Sequence, residues 1–126
     1  MAHLSDNEVA EFKQLLNQRS DELRRLVHEA LLRADDERYN ELATQVHDAG
    51  DESVADLLSD VNLAVIDREL HELAELEAAL QRIAQGSFGR CVDCQEDIDL
   101  ARLHAYPTAQ RCHPCQTRRE KLFAGP

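Results

Sequence analysis

Four cysteines are the residues best suited to chemistry in this 126-residue chain. They form two Cys-x-x-Cys pairs, Cys91 with Cys94 and Cys112 with Cys115, and seventeen residues separate the pairs. Each pair can sit on a tight turn that aims both sulfurs inward, and two such turns close a tetrahedron of thiolates around one zinc ion. The spacing therefore predicts one structural zinc site with these four cysteines as ligands.

Other roles for these cysteines are less favoured. Two disulfides need an oxidising compartment, and the opening Met-Ala-His-Leu-Ser-Asp contains no apolar stretch that could serve as a signal peptide. A thioredoxin-like redox pair would sit at a helix start in a βαβ pattern, and no such pattern precedes Cys91. Because four thiolates already fill a tetrahedral site, His113 between the last two cysteines is expected at the surface.

The composition excludes several functional classes. Aromatic residues make up 4% of the chain and Trp is absent, so the core is small and suits one domain, or one small domain with an extended element. No run of eighteen apolar residues could span a membrane, and the missing targeting segment predicts a cytoplasmic protein. The net charge of -11 argues against a broad phosphate-binding surface, so direct DNA binding is not expected.

The negative charge is concentrated in the middle of the chain. Between Glu41 and Leu80 there are eleven acidic residues and a single base, Arg68. Such a run is commonly a solvated helix face. The alternative is an acidic surface that binds a positively charged or metal-containing partner.

Two amphipathic helices are predicted before the cysteines. Ser5 and Glu8 have the spacing of a capping box, so the first helix should begin there and run to about His47, with a weak point near Asp35. Its apolar positions are three or four residues apart, as expected for one helix face. They are Phe12, Leu15, Leu16, Leu23, Leu26, Val27, Ala30, Leu31, Tyr39, Leu42 and Val46.

A turn containing Gly50 separates this helix from a second one, which is capped by Asp51 or Ser53 and ends at Gly86. At 1.5 Å per residue, the second helix is a rod about 50 Å long. Its apolar side comprises Val54, Leu57, Leu58, Val61, Val65, Ile66, Leu70, Leu73, Leu76, Leu80 and Ile83. Two long helices joined by a short turn run antiparallel and bury these stripes on each other, which predicts a coiled-coil hairpin.

The predicted organisation is a helical hairpin over residues 1–86, with its tip near residues 47–53, followed by a four-cysteine zinc module over residues 87–126. The tip should lie far from the zinc module and have few intramolecular partners. Phe88 is expected to pack against the metal module, and short strands or turns are expected between the two pairs. A basic helix over residues 116–123, with Arg118, Arg119 and Lys121, ends the chain.

Particular residues around the cysteines resemble a known family. The first pair is preceded by Phe88-Gly89-Arg90, and the linker reads Arg102-Leu103-His104-Ala105-Tyr106-Pro107-Thr108-Ala109. Together with the preceding hairpin, these segments resemble the DksA/TraR family of RNA polymerase regulators. This chain is similar to a member that lacks most of the N-terminal extension.

The resemblance implies a partner and a set of contact residues. Family members insert the coiled coil into the secondary channel of RNA polymerase, where aspartates at the tip alter open-complex stability. The family's Asp-x-x-Asp-x-Ala motif falls on Asp48, Asp51 and Ser53, so the last position departs from the pattern. A displaced apex would place Asp51 with Asp56 there instead. Arg68 falls where the family has an arginine that contacts the polymerase, although a pair with Glu72 would explain it equally well.

Departures from the family concern the alarmone ppGpp. In responsive members, basic residues on the hairpin and the zinc module hold the nucleotide, and the corresponding residues here are Glu75, Tyr106 and Gln116. None is positively charged, so this ppGpp site is not expected to form. Gln95 replaces a glycine that often follows the second cysteine, which predicts local backbone strain with the zinc ligands intact.

The sequence therefore predicts a mainly α protein, with a long antiparallel coiled-coil hairpin joined to a small four-cysteine zinc ribbon and a short C-terminal helix. Its predicted function is transcription regulation through RNA polymerase, and a monomer is favoured. A thin hairpin leaves little room for a catalytic pocket, so an enzyme is not expected. Two alternatives remain: an adaptor or dimerising protein unrelated to polymerase, and a zinc site that senses oxidation.

Overall fold

A computed structural model describes residues 4–123, and regular secondary structure in that range is helical. The elements are α1 (Asp6–Arg33), α2 (Glu37–His47), α3 (Val54–Leu57), a 3₁₀ turn (Ala64–Ile66), α4 (Asp67–Gln85), α5 (Leu100–Ala105) and α6 (His113–Phe123). One isolated antiparallel bridge joins Arg90 and Asp97. The mainly α fold class is confirmed. Between residues 4 and 123, no helix has both the length and the apolar character needed to cross a bilayer.

The chain divides into two compact units. The terminal unit comprises the described residues up to Leu16 and those from Ala79 onward, whereas the central unit comprises Asn17–Ala78. In the terminal unit, the ring of Phe12 lies 5.3 Å from that of Phe88 and 5.1 Å from that of His104. Both phenylalanines are buried, so the start of α1 and the zinc module share one small core.

The predicted ends of two helices are confirmed. At the start of α1, the amide of Glu8 donates to the Ser5 hydroxyl at 3.1 Å, and the amide of Ser5 donates to the Glu8 carboxylate at 2.9 Å. This is a capping box. At the end of α4, Gly86 has φ +77°, a left-handed conformation that favours glycine, and its amide donates to the Ile83 carbonyl at 3.1 Å.

The prediction of one continuous first helix to His47 is wrong, although its weak point was correctly placed near Asp35. Asp35 has φ +51°, and Asp36 caps α2 by accepting a hydrogen bond from the Arg38 amide at 2.8 Å. Asp is a strong N-cap residue and tolerates the left-handed region better than most residues. Two consecutive aspartates therefore end α1 and start a separate helix.

The continuous second helix is also contradicted. Only α3, four residues long, follows the cap at Ser53, and the chain is irregular from Leu58 until the 3₁₀ turn begins at Ala64. Ser59, Asp60 and Asn62 interrupt this stretch with side chains that compete for backbone hydrogen bonds. The observed α4 has 19 residues, so it is about 28 Å long rather than 50 Å.

In the central unit, α1 and α4 are antiparallel. Arg24 pairs with Glu77 at 3.5 Å, and the end of α1 shares a small recess with residues just before α4. The buried apolar residues of this unit are Leu23, Val27, Ala30, Leu31, Ala43, Val46, Ala49, Val54, Leu58, Ile66, Leu73 and Leu76. Most of the predicted stripe is therefore core. Leu26 and Val65 are exceptions, because their exposed fractions are 37% and 61%, and Leu15 of the predicted stripe is 49% exposed in the terminal unit.

The turn formed by residues 48–53 contacts α1 through Arg24 and α4 through Glu77, whereas the sequence predicted a turn far from other parts of the chain. Arg24 donates one hydrogen bond to the Gly50 carbonyl and another, at 2.9 Å, to the Glu52 carbonyl. The rings of His28 and His47 lie 5.8 Å apart. The break between the two helices reverses the chain direction, so α2 runs back along α1. The turn of residues 48–53 therefore contacts the middle of α1 and does not extend beyond its end.

Two leucines of α1 differ in burial, and their substitution should therefore have different effects on stability. Leu23 is 1% exposed and Leu26 is 37% exposed. Leu23→Ala should lower the free energy of unfolding by about 2–5 kcal/mol, because it leaves a cavity in the core. Leu26→Ala is the matched control and should cost less than about 1 kcal/mol. Urea unfolding followed by circular dichroism measures both, and equal losses would contradict the packing described here.

Candidate functional site

The first cysteine pair lies on a tight turn after α4. Gly89 has φ +86°, which favours glycine, and its carbonyl accepts from the Ile98 amide at 2.7 Å. The Cys91 amide donates to the Glu96 carbonyl at 2.8 Å, and the Gln95 amide donates to the Cys91 carbonyl at 3.0 Å. Gln95 has φ +67°, so the strain predicted for a non-glycine residue at this position is present.

The second pair is placed by α6. Cys112 directly precedes this helix, its carbonyl accepts from the Gln116 amide at 2.9 Å, and Cys115 is buried in the first turn. The helix begins at His113, three residues earlier than predicted, and His113 is exposed as expected. The Val92 amide donates to the Gln110 carbonyl at 2.9 Å, which connects the two cysteine turns.

All four sulfur atoms lie within 4.8 Å of one another. A tetrahedral site with Zn–S bonds of 2.3 Å places its sulfurs about 3.8 Å apart. The Cys94 and Cys112 sulfurs are 3.8 Å apart, which matches that value. Cys91 and Cys115 are buried, Cys112 is half-buried and Cys94 is exposed. The residues therefore fit a single tetrahedral metal ion held from both turns.

The Cys91 and Cys115 thiols differ in their affinity for protons. Burial raises the pKa of the Cys91 thiol, but hydrogen bonds to its sulfur from the backbone of Cys94, Cys112 and Asp93 outweigh burial and lower the pKa to about 6. The pKa of Cys115 is raised to about 12, chiefly by its hydrogen bond with the Cys112 thiol. Because metal ligands bind as thiolates, metal binding releases the protons that remain.

Arginines support both turns, and the sequence analysis did not assign them this role. The Nε atom of Arg111 donates to the Asp93 carboxylate at 2.8 Å, and Arg102 donates to the Arg111 carbonyl at 3.0 Å. Arg118 on α6 donates to the Cys115 sulfur at 3.3 Å, so it contacts one of the four ligands directly. The i, i+3 spacing of Cys115 and Arg118 on one helix was the available signal.

The candidate contact residues occupy two separate parts of the central unit. Asp48 caps the end of α2 and lies 3.1 Å from the His47 ring nitrogen, and Asp51 is exposed on the same turn. Ser53 caps α3 and donates its hydroxyl hydrogen bond to Glu77 at 2.8 Å, so it is half-buried. Arg68 is exposed in the first turn of α4. Glu72, its suggested partner, instead binds Arg19 at 2.7 Å.

The residues at the family's ppGpp positions are uncharged or acidic, as the sequence states. Glu75 is half-buried on α4, in the central unit. In the terminal unit, Tyr106 follows α5, and Gln116 on α6 donates to Glu120 at 3.3 Å. A cation does lie near Tyr106, because the Arg102 guanidinium is 5.9 Å from the centre of its ring.

Known proteins share both the cysteine module and the rest of the chain. The model of the prokaryotic DksA/TraR C4-type zinc finger matches residues 86–121. An RNA polymerase-binding transcription factor DksA from Caulobacter vibrioides is 30% identical over 120 residues, covering 94% of this chain and 80% of that protein. The chain belongs to the DksA/TraR family.

Other family members match along nearly the full length. The DksA of Haemophilus influenzae is 28% identical over 126 residues, covering 98% of this chain and 83% of that protein. The structure of DksA2 from Pseudomonas aeruginosa matches with a TM-score of 0.67 and 25% identity, covering 98% of this chain and 91% of that one. In a C4 zinc-finger family, four sulfurs at this spacing identify the metal as one structural zinc ion.

Proposed function

We propose that this protein regulates transcription by binding RNA polymerase directly. The observation that carries the proposal is the match with relatives named RNA polymerase-binding transcription factor DksA, which extends over at least 94% of the chain. The match is not confined to the zinc finger, so it includes the helices that the family uses to reach its partner. The proposal assigns no catalytic step to the protein and no direct reading of DNA sequence.

The proposed site of action is the secondary channel of the polymerase. Asp48 and Asp51 are exposed on one turn, and this part of the chain is strongly acidic. A carboxylate pair is attracted to a channel that is lined by basic residues and leads to a metal-containing centre. Ser53 fixes the conformation of the turn that carries both aspartates, and Arg68 on α4 is proposed as a separate contact with the polymerase.

Affinity and regulatory effect are proposed to come from different surfaces. The helix sides and the zinc module supply contact area, whereas two exposed carboxylates at a turn bury little surface and contribute mainly electrostatic specificity. The zinc ion acts structurally, because four cysteine ligands leave no open coordination position for substrate or water.

We propose that ppGpp has no site on the hairpin and zinc module of this protein. A polyphosphate needs several bidentate or ammonium donors, and Glu75 would repel it. Arg102 is the available cation near Tyr106, but its Nε already donates to the Arg111 carbonyl. A single arginine that already donates one hydrogen bond would contribute little binding energy to a highly charged nucleotide. Because bacterial RNA polymerase works in the cytoplasm, the proposal places the protein there, acting as a monomer.

A competition pull-down tests the proposal. Zinc-loaded protein is expected to retain bacterial RNA polymerase core enzyme, and a factor known to occupy the secondary channel should displace it. Retention that this competitor leaves unchanged would place binding elsewhere on the polymerase. Absence of retention by folded, zinc-containing protein would overturn the proposal.

One observation favours a second candidate, an adaptor or homodimer. Three leucines on α1 are exposed: Leu15, Leu26 and Leu32. Leu15 and Leu26 are eleven residues apart and share a helix face, and exposed apolar residues on one face are a feature of coiled-coil association. Analytical ultracentrifugation at several protein concentrations separates the candidates, because a dimer that forms without polymerase would favour this second function.

A further inference from the structure

We propose that residues 34–66 of the central unit have two arrangements. The docked arrangement is the one described above, in which α2, the turn of residues 48–53 and α3 fold back along α1 and α4. We call residues 36–58 the arm. In the extended arrangement, α1 would continue into α2, and α3 would continue through the 3₁₀ turn into α4, so that the turn lies at the end of one longer hairpin.

A small set of polar contacts holds the arm in its docked position. Arg24 donates to the carbonyls of Gly50 and Glu52, which belong to the turn. The Glu77 carboxylate accepts from the Ser53 hydroxyl and the Val54 amide, both at 2.8 Å, and from the Ala55 amide at 3.3 Å. Arg24 and Glu77 therefore act as a latch from α1 and α4 on the turn and on the start of α3.

The two connections to the arm are weak points in otherwise regular helices. The first is Asp35, which is followed by the capping residue Asp36. The φ of Asp35 is +51°, a backbone angle that is unfavourable for a residue with a side chain. The second is the irregular stretch of residues 58–63. Each connection could become helical by rotating a few backbone bonds, as hinges between two packed states do.

The apolar pattern fits the extended arrangement as well as the docked one. Residues Tyr39, Leu42 and Val46 continue the stripe of α1, and Val61 and Val65 continue that of α4. In the docked arrangement, Val65 is 61% exposed. Two long helices would face these stripes toward each other, so extension would not leave the arm's apolar residues without cover.

Packing of the docked arm is incomplete. A recess of about 660 Å³ lies between α2 and residues 57–62, and one of about 180 Å³ lies between the end of α1 and the residues before α4. The Nε atom of Arg24, at the centre of the latch, is buried without a hydrogen-bond partner. Both recesses open to solvent, and a buried donor without a partner costs free energy, so the docked arrangement is less stable than a fully satisfied one would be.

The regulatory consequence rests on the proposed function. In the docked arrangement, Asp48 and Asp51 lie beside the middle of α1. In the extended arrangement they would be at the end of the hairpin, the position from which an acidic turn can enter a channel. The docked arm is therefore the resting state, and binding of polymerase selects the extended state.

The separation of residues 28 and 47 reports which arrangement is populated. The His28 and His47 rings are 5.8 Å apart in the docked arm. In one continuous helix, nineteen residues at 1.5 Å each would separate these positions by about 28 Å. Nitroxide labels attached at both positions through a ketone-bearing amino acid leave the zinc cysteines untouched, and electron paramagnetic resonance measures the distance. Hydrogen exchange at the amides of Val54 and Ala55 is an independent, label-free measurement of latch opening.

Opposite substitutions at one hinge give the decisive comparison. Asp35→Ala disfavours the left-handed conformation and should raise the extended-to-docked ratio about fivefold, whereas Asp35→Gly eases that conformation and should lower it by a similar factor. Glu77→Ala removes the latch and should also raise the ratio. Its matched control is Glu72→Ala, which breaks the Arg19 pair between the same two helices without contacting the arm.

These measurements are made without polymerase, so they decide the switch even if the proposed function fails. Identical distance distributions for Asp35→Ala and Asp35→Gly, or equal responses to Glu77→Ala and Glu72→Ala, would overturn the two arrangements. Adding polymerase core enzyme should then increase the population near 28 Å. Polymerase that binds in the pull-down yet leaves the distance unchanged would overturn the resting-state role.

Discussion

Removal of zinc is expected to unfold the segment from Ser87 to Phe123. This segment has only a small core, in which Phe88, Ile98 and Leu103 are its largest buried apolar residues. Its helix α5 is six residues long and has no side-chain cap. Helices that short are not stable alone in water. Zinc binding to structural cysteine sites is worth about 10–16 kcal/mol, far more than this core can replace.

The measurement is hydrogen exchange before and after treatment with a chelator under reducing conditions. Amides of α5 and of the two cysteine turns should lose protection, whereas buried helical amides in the central unit should keep it, because that unit has its own core. Unchanged protection in α5 after complete zinc removal would contradict a structural role for the metal.

Single substitutions test the ligand set. Cys91→Ser and Cys115→Ser should each lower the zinc content well below one ion per chain, since a hydroxyl is a much poorer ligand than a thiolate. His113→Ala is the matched control, because His113 lies between two cysteines and is exposed. Zinc content measured by elemental analysis should be unchanged in that variant, and zinc loss there would revise the assignment of four cysteine ligands.

The metal site could be predicted from sequence because its information is local. Two Cys-x-x-Cys turns require only a few neighbouring residues each, and the linker length sets how they meet. The supporting arginines were harder to predict. Arg111 and Arg118 are ordinary surface bases by composition, and their roles depend on where Asp93 and the Cys115 sulfur lie in space. Only the i, i+3 spacing of Arg118 to Cys115 offered a local signal.

The helices could be predicted by type but not by their arrangement. Most residues of the predicted apolar stripe are buried. The same stripe, however, is compatible with a long hairpin and with a folded-back arm. What decides between them is a small local difference at Asp35 and Asp36 and the latch formed by Arg24 and Glu77. Contacts between residues separated by fifty positions cannot be read from periodicity.

Asp48→Asn together with Asp51→Asn is expected to leave polymerase affinity within about threefold of wild type while abolishing the effect on transcription initiation. Asparagine has nearly the same shape as aspartate, and removing negative charge at the C-terminal end of α2 is not destabilising to that helix. The variant should therefore fold normally. If the carboxylates act by their charge near a metal-containing centre, the neutral amides cannot replace them. In vitro transcription and the competition pull-down measure the two properties separately.

Glu52→Gln is the matched control, because Glu52 is an exposed acid on the same turn but lies outside the motif carried by Asp48 and Asp51. It should retain the transcriptional effect. Asp51→Asn with Asp56→Asn tests the alternative apex, and a loss confined to that pair would move the active carboxylates to Asp51 and Asp56. If the variant of Asp48 and Asp51 loses polymerase affinity and the transcriptional effect to the same degree, the turn itself supplies binding energy. The proposal that binding and regulation come from different surfaces would then be wrong.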